Sequence, residues 1–177
     1  MLNIITLPAT SLRERSKEID RDFLLKPETQ KLMVEMIDTM YQDDGAGLAA
    51  PQIGKNIRIC VIGKEADKKL TGDLILVNPV WEKISKKTNL DTEGCLSVPG
   101  VFGRVKRFSK IYVTALDRRA NKIEFEAKNF FARVIQHEVD HLDGILFIDK
   151  ATDICRTDNA LGAGICPPNL SDSSIRL

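Results

Sequence analysis

Histidine is almost absent from this 177-residue chain: there are two, at positions 137 and 141. Any imidazole chemistry must therefore happen in one place. The four cysteines, at 60, 95, 155 and 166, show no close pairing of the CxxC kind, so the expected setting is reduced and cytoplasmic. Charge of either sign is not in excess: a formal net charge of +1 offers no electrostatic argument for nucleic acid or for an acidic membrane. No stretch approaches the ~18 apolar residues of a membrane span. Met1-Leu2-Asn3-Ile4-Ile5 lacks a basic segment followed by a long apolar run, so no signal peptide is expected. Hydrophobic residues at 43% and charged residues at 29% are ordinary for a soluble domain, and the length suits one domain with a real core.

What is there converges on His137-Glu138-Val139-Asp140-His141. Four residues on a helix are about 400°, so the two imidazoles lie on one face, roughly one turn apart. Two ring nitrogens placed that way can share one metal ion. Glu138 follows the first histidine by about 100°, and in the H-E-x-x-H pattern that carboxylate works on the water at the metal and does not ligate it. A short pattern of this kind also arises by chance, and an isolated histidine is usually a core or surface residue. The lead-in shifts the balance. Phe130, Phe131, Val134 and Ile135, continued by Leu142, recur with a 3.6-residue period, which predicts a helix with one buried stripe. Asp143-Gly144 supplies its end.

Taken in order, residues 2–6 read as a short strand and 7–25 as an irregular arm. Pro27-Glu28 opens a helix whose apolar stripe is Leu32, Met33, Met36, Ile37 and Met40. The small residues of Gly45-Ala46-Gly47-Leu48-Ala49-Ala50-Pro51-Gln52 allow close backbone approach. A phosphate loop is excluded, because no Gly-Lys-Ser/Thr follows. A tight connection packed under a helix explains the stretch as well as a binding loop does.

Ile57–Ile62, Leu74–Val77 and, more weakly, Trp81–Asn89 read as strands. Ile111–Leu116 and Lys122–Ala127 flank a five-residue hairpin loop, 117–121. Cys60 sits in an apolar strand and reads as core. Arg104 and Arg107, among basic residues at 106 and 110, read as a solvated strand end in preference to a patch steering an acidic partner. Strands fall between two helices and no repeated βαβ unit appears. The expected class is α+β: mainly antiparallel sheets packed around a helix in the C-terminal half that carries the HExxH motif, plus an N-terminal helix. The expected boundaries are a catalytic domain over 1–150 and a polar tail without packed structure over 151–177, in which Cys155 and Cys166 would be exposed thiols.

A catalytic metal site wants three protein ligands and an open position. Neither His nor Glu occurs after His141, so the third ligand is sought upstream. Glu93-Gly94-Cys95-Leu96-Ser97 offers a thiol in a turn-like setting, and thiolate is a strong ligand for Zn²⁺ or Fe²⁺. A buried small hydrophobe is the competing reading of Cys95.

Gly-Ala-Gly-Leu-Ala-Ala-Pro-Gln (45–52), Glu-Gly-Cys-Leu-Ser (93–97) and His-Glu-Val-Asp-His (137–141) together resemble the three signature motifs of the bacterial peptide deformylases, in order, and the chain is class I-like over roughly residues 1–150. The resemblance implies a hydrolase that removes the N-formyl group from the formylmethionine of new polypeptides and releases formate. It implies Cys95, His137 and His141 as metal ligands, Glu138 as the proton carrier, and the Gln52 amide with the Leu96 N–H as oxyanion donors. Gly45, Ala46, Gly47 and Glu93 would line the peptide's path. Fe²⁺ is the implied metal, with Zn²⁺, Ni²⁺ or Co²⁺ able to substitute. The implied partners are an N-formylmethionyl peptide and, transiently, the ribosome, with no membrane and no direct nucleic-acid signal. The rival readings are an HExxH metallopeptidase, which would usually need the missing downstream ligand, and a metal-stabilised binding module, which would more often close four protein ligands around the ion.

Overall fold

In the computed structural model the described residues are 2–157. In chain order they form α1 (Arg21–Leu24), α2 (Pro27–Gln42), β1 (Gly47–Ala49), β2 (Ile59–Ile62), β3 (Leu74–Lys83), β4 (Thr88–Cys95), β5 (Val98–Phe108), β6 (Lys110–Leu116), β7 (Lys122–Lys128), α3 (Asn129–Leu142) and β8 (Thr152–Arg156). One sheet runs β1-β2-β3-β6-β7 and a second β4-β5-β8, antiparallel throughout. The class is α+β, as the sequence suggests.

The period-two alternation of β2 explains how the larger sheet takes a helix on each face. Ile59 and Val61 pack with Met33, Met36 and Met40 of α2. Cys60 and Ile62 point the other way, onto Val134, Ile135 and Val139 of α3. In β3, Ile75 and Val77 join the first layer and Leu76 the second. The second sheet closes over the opposite side of α3. Its β5 is tied to the helix by the Gln136 side chain, which accepts from the Phe108 N–H (3.0 Å) and donates to the Phe108 carbonyl (2.9 Å).

α3 is therefore buried from Phe131 through Leu142, and not along one stripe alone. Its apolar side faces the large sheet. Its polar side, with Arg133, Gln136, His137, Glu138, Asp140 and His141, is covered as well. Buried polar groups are costly unless each finds a partner, so this face is built around partners.

Several expectations change. Residues 2–6 form no strand; the backbone of this stretch and the next residue braces the site instead, with the Ile5 N–H donating to the Gln52 carbonyl (2.7 Å) and the Leu7 N–H to the Ser97 carbonyl (3.0 Å). Trp81–Asn89 is split between the end of β3 and the start of β4. β5 was not legible. Residues 152–156, read as tail, are an edge strand: Val101 pairs with Arg156, Phe102 with Cys155 and Arg104 with Thr152. The folded unit thus extends past 150. Cys155 is half-buried and engaged, not an exposed thiol. Cys166 and the rest of 158–177 lie outside the described residues.

Candidate metal centre and active site

α3 presents His137 and His141 one turn apart, with ring centroids 4.9 Å from each other. β4 ends at Cys95 opposite them, where a turn at Leu96-Ser97 reverses the chain into β5. The Cys95 Sγ lies 3.2 Å from His141 Nε2. Ligand atoms of Cys95, His137 and His141 all lie within 4.8 Å of one another, and all three residues are buried. His137 Nδ1–H donates to Glu93 Oε2 at 2.9 Å, which fixes the tautomer with its lone pair on Nε2. That Nε2 has no hydrogen-bond partner among the described residues, and neither do the two Glu138 oxygens. Buried polar atoms left unpaired in this way cost on the order of 1–3 kcal/mol each. His137 is one of the three residues whose donor atoms cluster, so its unpaired Nε2 fits an ion there.

The electrostatics agree. Burial, and next the neighbouring His137, hold His141 well below its ordinary pKa, so it is the neutral imidazole that a metal requires. Burial pushes the Cys95 thiol up, against the N–H groups of Ser97 and Val98 that hydrogen-bond to the sulfur. A divalent cation reverses that balance and takes the thiolate. Burial, then the negative charge of Glu93, raise Glu138 well above the usual carboxylate range.

Gly47 explains how Glu138 fits. A Cβ there would stand 2.6 Å from Glu138 Oε1 and 2.8 Å from its Cδ and Cγ, so only hydrogen leaves room for the carboxylate. Gly45 is closed similarly by Leu96 Cδ1, 3.1 Å from where a Cβ would sit. Half-buried Ala46 accepts the Gly63 N–H through its carbonyl at 2.9 Å. Gln52 is fully buried. Its Oε1 accepts from the Ala49 N–H (2.7 Å), and its Nε2 lies 3.6 Å from the Cys95 sulfur. A groove of about 360 Å³ opens from Cys95 and Leu96 past Ile4, Val98, Val101 and Phe102.

Glu93 departs from the expectation that it lines the peptide's path. It is fully buried, and its oxygens are taken by Arg107 Nε (2.9 Å) and a terminal Arg107 nitrogen (2.8 Å), by Arg133 (2.7 Å) and by His137. Burial acts to raise its pKa, but the hydrogen bonds and charge of Arg107 and His137 outweigh that and hold it well below the carboxylate range. Its place is behind His137. Arg107 is likewise no solvated strand end: it is 4% exposed, forked on Glu93 and also bonded to Asp140. Arg104 is exposed, as read. Sequence reasoning missed Asp140, Arg133 and Lys150. A second acid inside the H-E-x-x-H repeat was the one available signal.

An HExxH helix between two antiparallel sheets, with an upstream cysteine beside its two histidines, is the arrangement of a metal-dependent hydrolase. A family model described as polypeptide deformylase matches residues 1–157, and the chain belongs to that family. It is 44% identical over 151 residues to the peptide deformylase of Pelotomaculum thermopropionicum, covering 85% of this chain and 92% of that one. Against peptide deformylase 2 of Gloeobacter violaceus it is 41% identical over 149 residues, covering 84% and 78%. Among solved structures, the class I type b enzyme of Acinetobacter baumannii with Met-Ala-Ser bound superposes with a TM-score of 0.79 at 30% identity, covering 84% of this chain and 97% of that one. The Synechococcus elongatus enzyme in complex with actinonin gives 0.78 at 37%, covering 86% and 81%. The chain is thus a hydrolase that removes the N-formyl group from nascent peptides, and the endopeptidase and binding-module readings fall away. No helix among the described residues is long and apolar enough to cross a membrane.

Proposed function

We propose that Cys95, His137 and His141 hold one Fe²⁺ ion, for which Zn²⁺, Ni²⁺ or Co²⁺ can substitute, and that Glu138 moves the proton during deformylation. The observation behind this reading is the meeting of three buried ligand atoms beside a buried carboxylate with no partner. One thiolate and two imidazoles suit each of these metals. When bound, the ion supplies Lewis acidity and lowers the pKa of a water to about 7.

The chain's own groups do the rest. Glu138 accepts the proton of the attacking water and returns it to the amine nitrogen as the formyl C–N bond breaks, leaving formate and a free N-terminal methionine. The Gln52 amide, held by the Ala49 N–H, donates to the developing oxyanion together with the Leu96 N–H. Such a donor is worth about 3–4 kcal/mol in other hydrolases. Gly47 keeps Glu138 in place, and Gly45 and Ala46 border the path along which the peptide enters the groove. The formylmethionine substrate is made where polypeptides are synthesised, and we read the enzyme as acting in the cytoplasm, with at most transient contact with the ribosome.

Incubating the protein with formyl-Met-Ala-Ser and with Met-Ala-Ser, while assaying formate and peptide fragments, tests the reading. Formate from the first peptide and no cleavage of either is expected. Internal cleavage, or no formate from metal-loaded protein, would overturn it.

A further inference from the structure

Behind His137 runs a chain of alternating charges that ends at the surface. Glu93 takes His137 and two nitrogens of Arg107; the remaining Arg107 nitrogen goes to Asp140. Lys150 Nζ then bonds both Asp140 oxygens at 2.7 Å. The side-chain exposures are 0% for Glu93, 4% for Arg107 and 8% for Asp140, and they rise to 39% only at Lys150. We infer that Lys150, outside the three sequence motifs and not among the residues lining the groove, is a positioning residue for the metal site, acting through Asp140 and Arg107 on the Glu93 carboxylate that orients His137.

The inference rests on the reading that Cys95, His137 and His141 bind the ion. Its physical basis is that Arg107 is shared. A guanidinium is a rigid planar fork, so two of its nitrogens can sit squarely on Glu93 only while the third is not pulled harder elsewhere. Asp140 is a nearly buried carboxylate, and a buried charge short of partners is strongly unfavourable. Lys150 saturates both its oxygens and leaves Arg107 to Glu93. Without that ammonium, Asp140 draws on Arg107, the fork tilts, and the hydrogen bond fixing the His137 tautomer loosens.

The fold delivers Lys150 to this position through the site itself. The turn Phe147–Asp149 stacks the Phe147 ring on His137, with centroids 6.2 Å apart. Arg13 from the N-terminal arm pairs with Asp149, and the Lys150 N–H closes the turn on the Phe147 carbonyl at 3.0 Å. Partners behind a ligand are worth about 10–100-fold in metal affinity or activity. Lys150 lies three links further out, so the effect should fall below that range, at about three- to ten-fold.

The experiment measures the rate at which a chelator strips metal from the purified holoenzyme, with kcat and KM for formyl-Met-Ala-Ser measured in parallel. The parent protein must first show one metal per chain and His137→Ala must lose it; this step tests the binding reading separately. Lys150→Met should then lose metal several-fold faster and lose kcat at unchanged KM. Lys150→Arg, which can also place two N–H groups on Asp140, should restore both within two-fold. Lys122→Met, which breaks the exposed pair with Glu124, should match the parent. If Lys150→Met folds poorly, Lys150→Gln replaces it. Metal loss within two-fold of the parent, or no rescue by arginine, would overturn the assignment.

Discussion

Replacing Gly47 by alanine adds one methyl group at the most crowded point of the site. The backbone is not the difficulty, since Gly47 is an ordinary strand residue paired with Ile62. The difficulty is that the new Cβ falls 2.6 Å from Glu138 Oε1, about 0.8 Å inside ordinary contact, and 2.8 Å from two carbons of the same side chain. β1 is held in place, because β2 pairs along it and Leu48 packs into the α2 layer. Glu138 is fully buried on a helix that is itself enclosed, so the carboxylate has to turn or shift by most of an ångström. Overpacking of this kind costs about 1–3 kcal/mol, or ~2–12 °C in thermal midpoint for a chain of this size. Misplacing a catalytic group by about 1 Å costs about 100-fold in rate. Gly47→Ala should therefore fold, keep its metal, melt a few degrees lower and turn over formyl-Met-Ala-Ser about 100-fold more slowly. Gly72→Ala is the control, since nothing lies within 4 Å of where its Cβ would sit; it should match the parent in both midpoint and turnover. Near-parental turnover in Gly47→Ala would refute the role given to Gly47 and the fixed position given to Glu138.

Other outcomes follow from the same geometry. Cys95→Ala should lose bound metal and deformylation together, whereas Cys60→Ala, in the core shared with α3, should keep its metal content; metal analysis separates them. Glu138→Gln should retain metal yet lose several orders of magnitude in kcat, because it cannot take up the proton; metal loss equal to that of His137→Ala would count against it. Protein made anaerobically with iron should be active and should decay in air as the thiolate site oxidises, and air-stable activity of the iron form would contradict the metal assignment. Deleting residues 152–177 should lower the thermal midpoint, because it removes β8 from the edge of β5; an unchanged midpoint would show that this ladder adds nothing.

The HExxH helix was legible because one period placed both histidines on one face and the apolar residues on another. β5 was hidden for a physical reason: its buried row is Gly103, Val105 and Arg107, which does not read as an apolar alternation, and it opens on Val98-Pro99-Gly100. Arg107 looked solvated because its partners, Glu93 and Asp140, come from two other elements, and no local pattern announces them. The resemblance to the deformylases put Glu93 on the substrate path, whereas its carboxylate faces the back of His137. β8 is a short edge strand with mostly exposed side chains, held by its register with β5, so its composition resembled a tail. The cysteine ligand could be sought by elimination, since no His or Glu follows His141; the charge chain reaching Lys150 could not.

X-ray absorption at the metal edge, on protein loaded with one equivalent of Zn²⁺ or Fe²⁺, tests the proposed ligand set most directly. The proposal predicts one sulfur and two imidazole nitrogens, for zinc at about 2.3 Å and 2.0–2.1 Å respectively, with the sulfur contribution gone in Cys95→Ala and unchanged in Cys60→Ala. A shell without sulfur in the parent protein, or one that keeps its sulfur after Cys95→Ala, would contradict it.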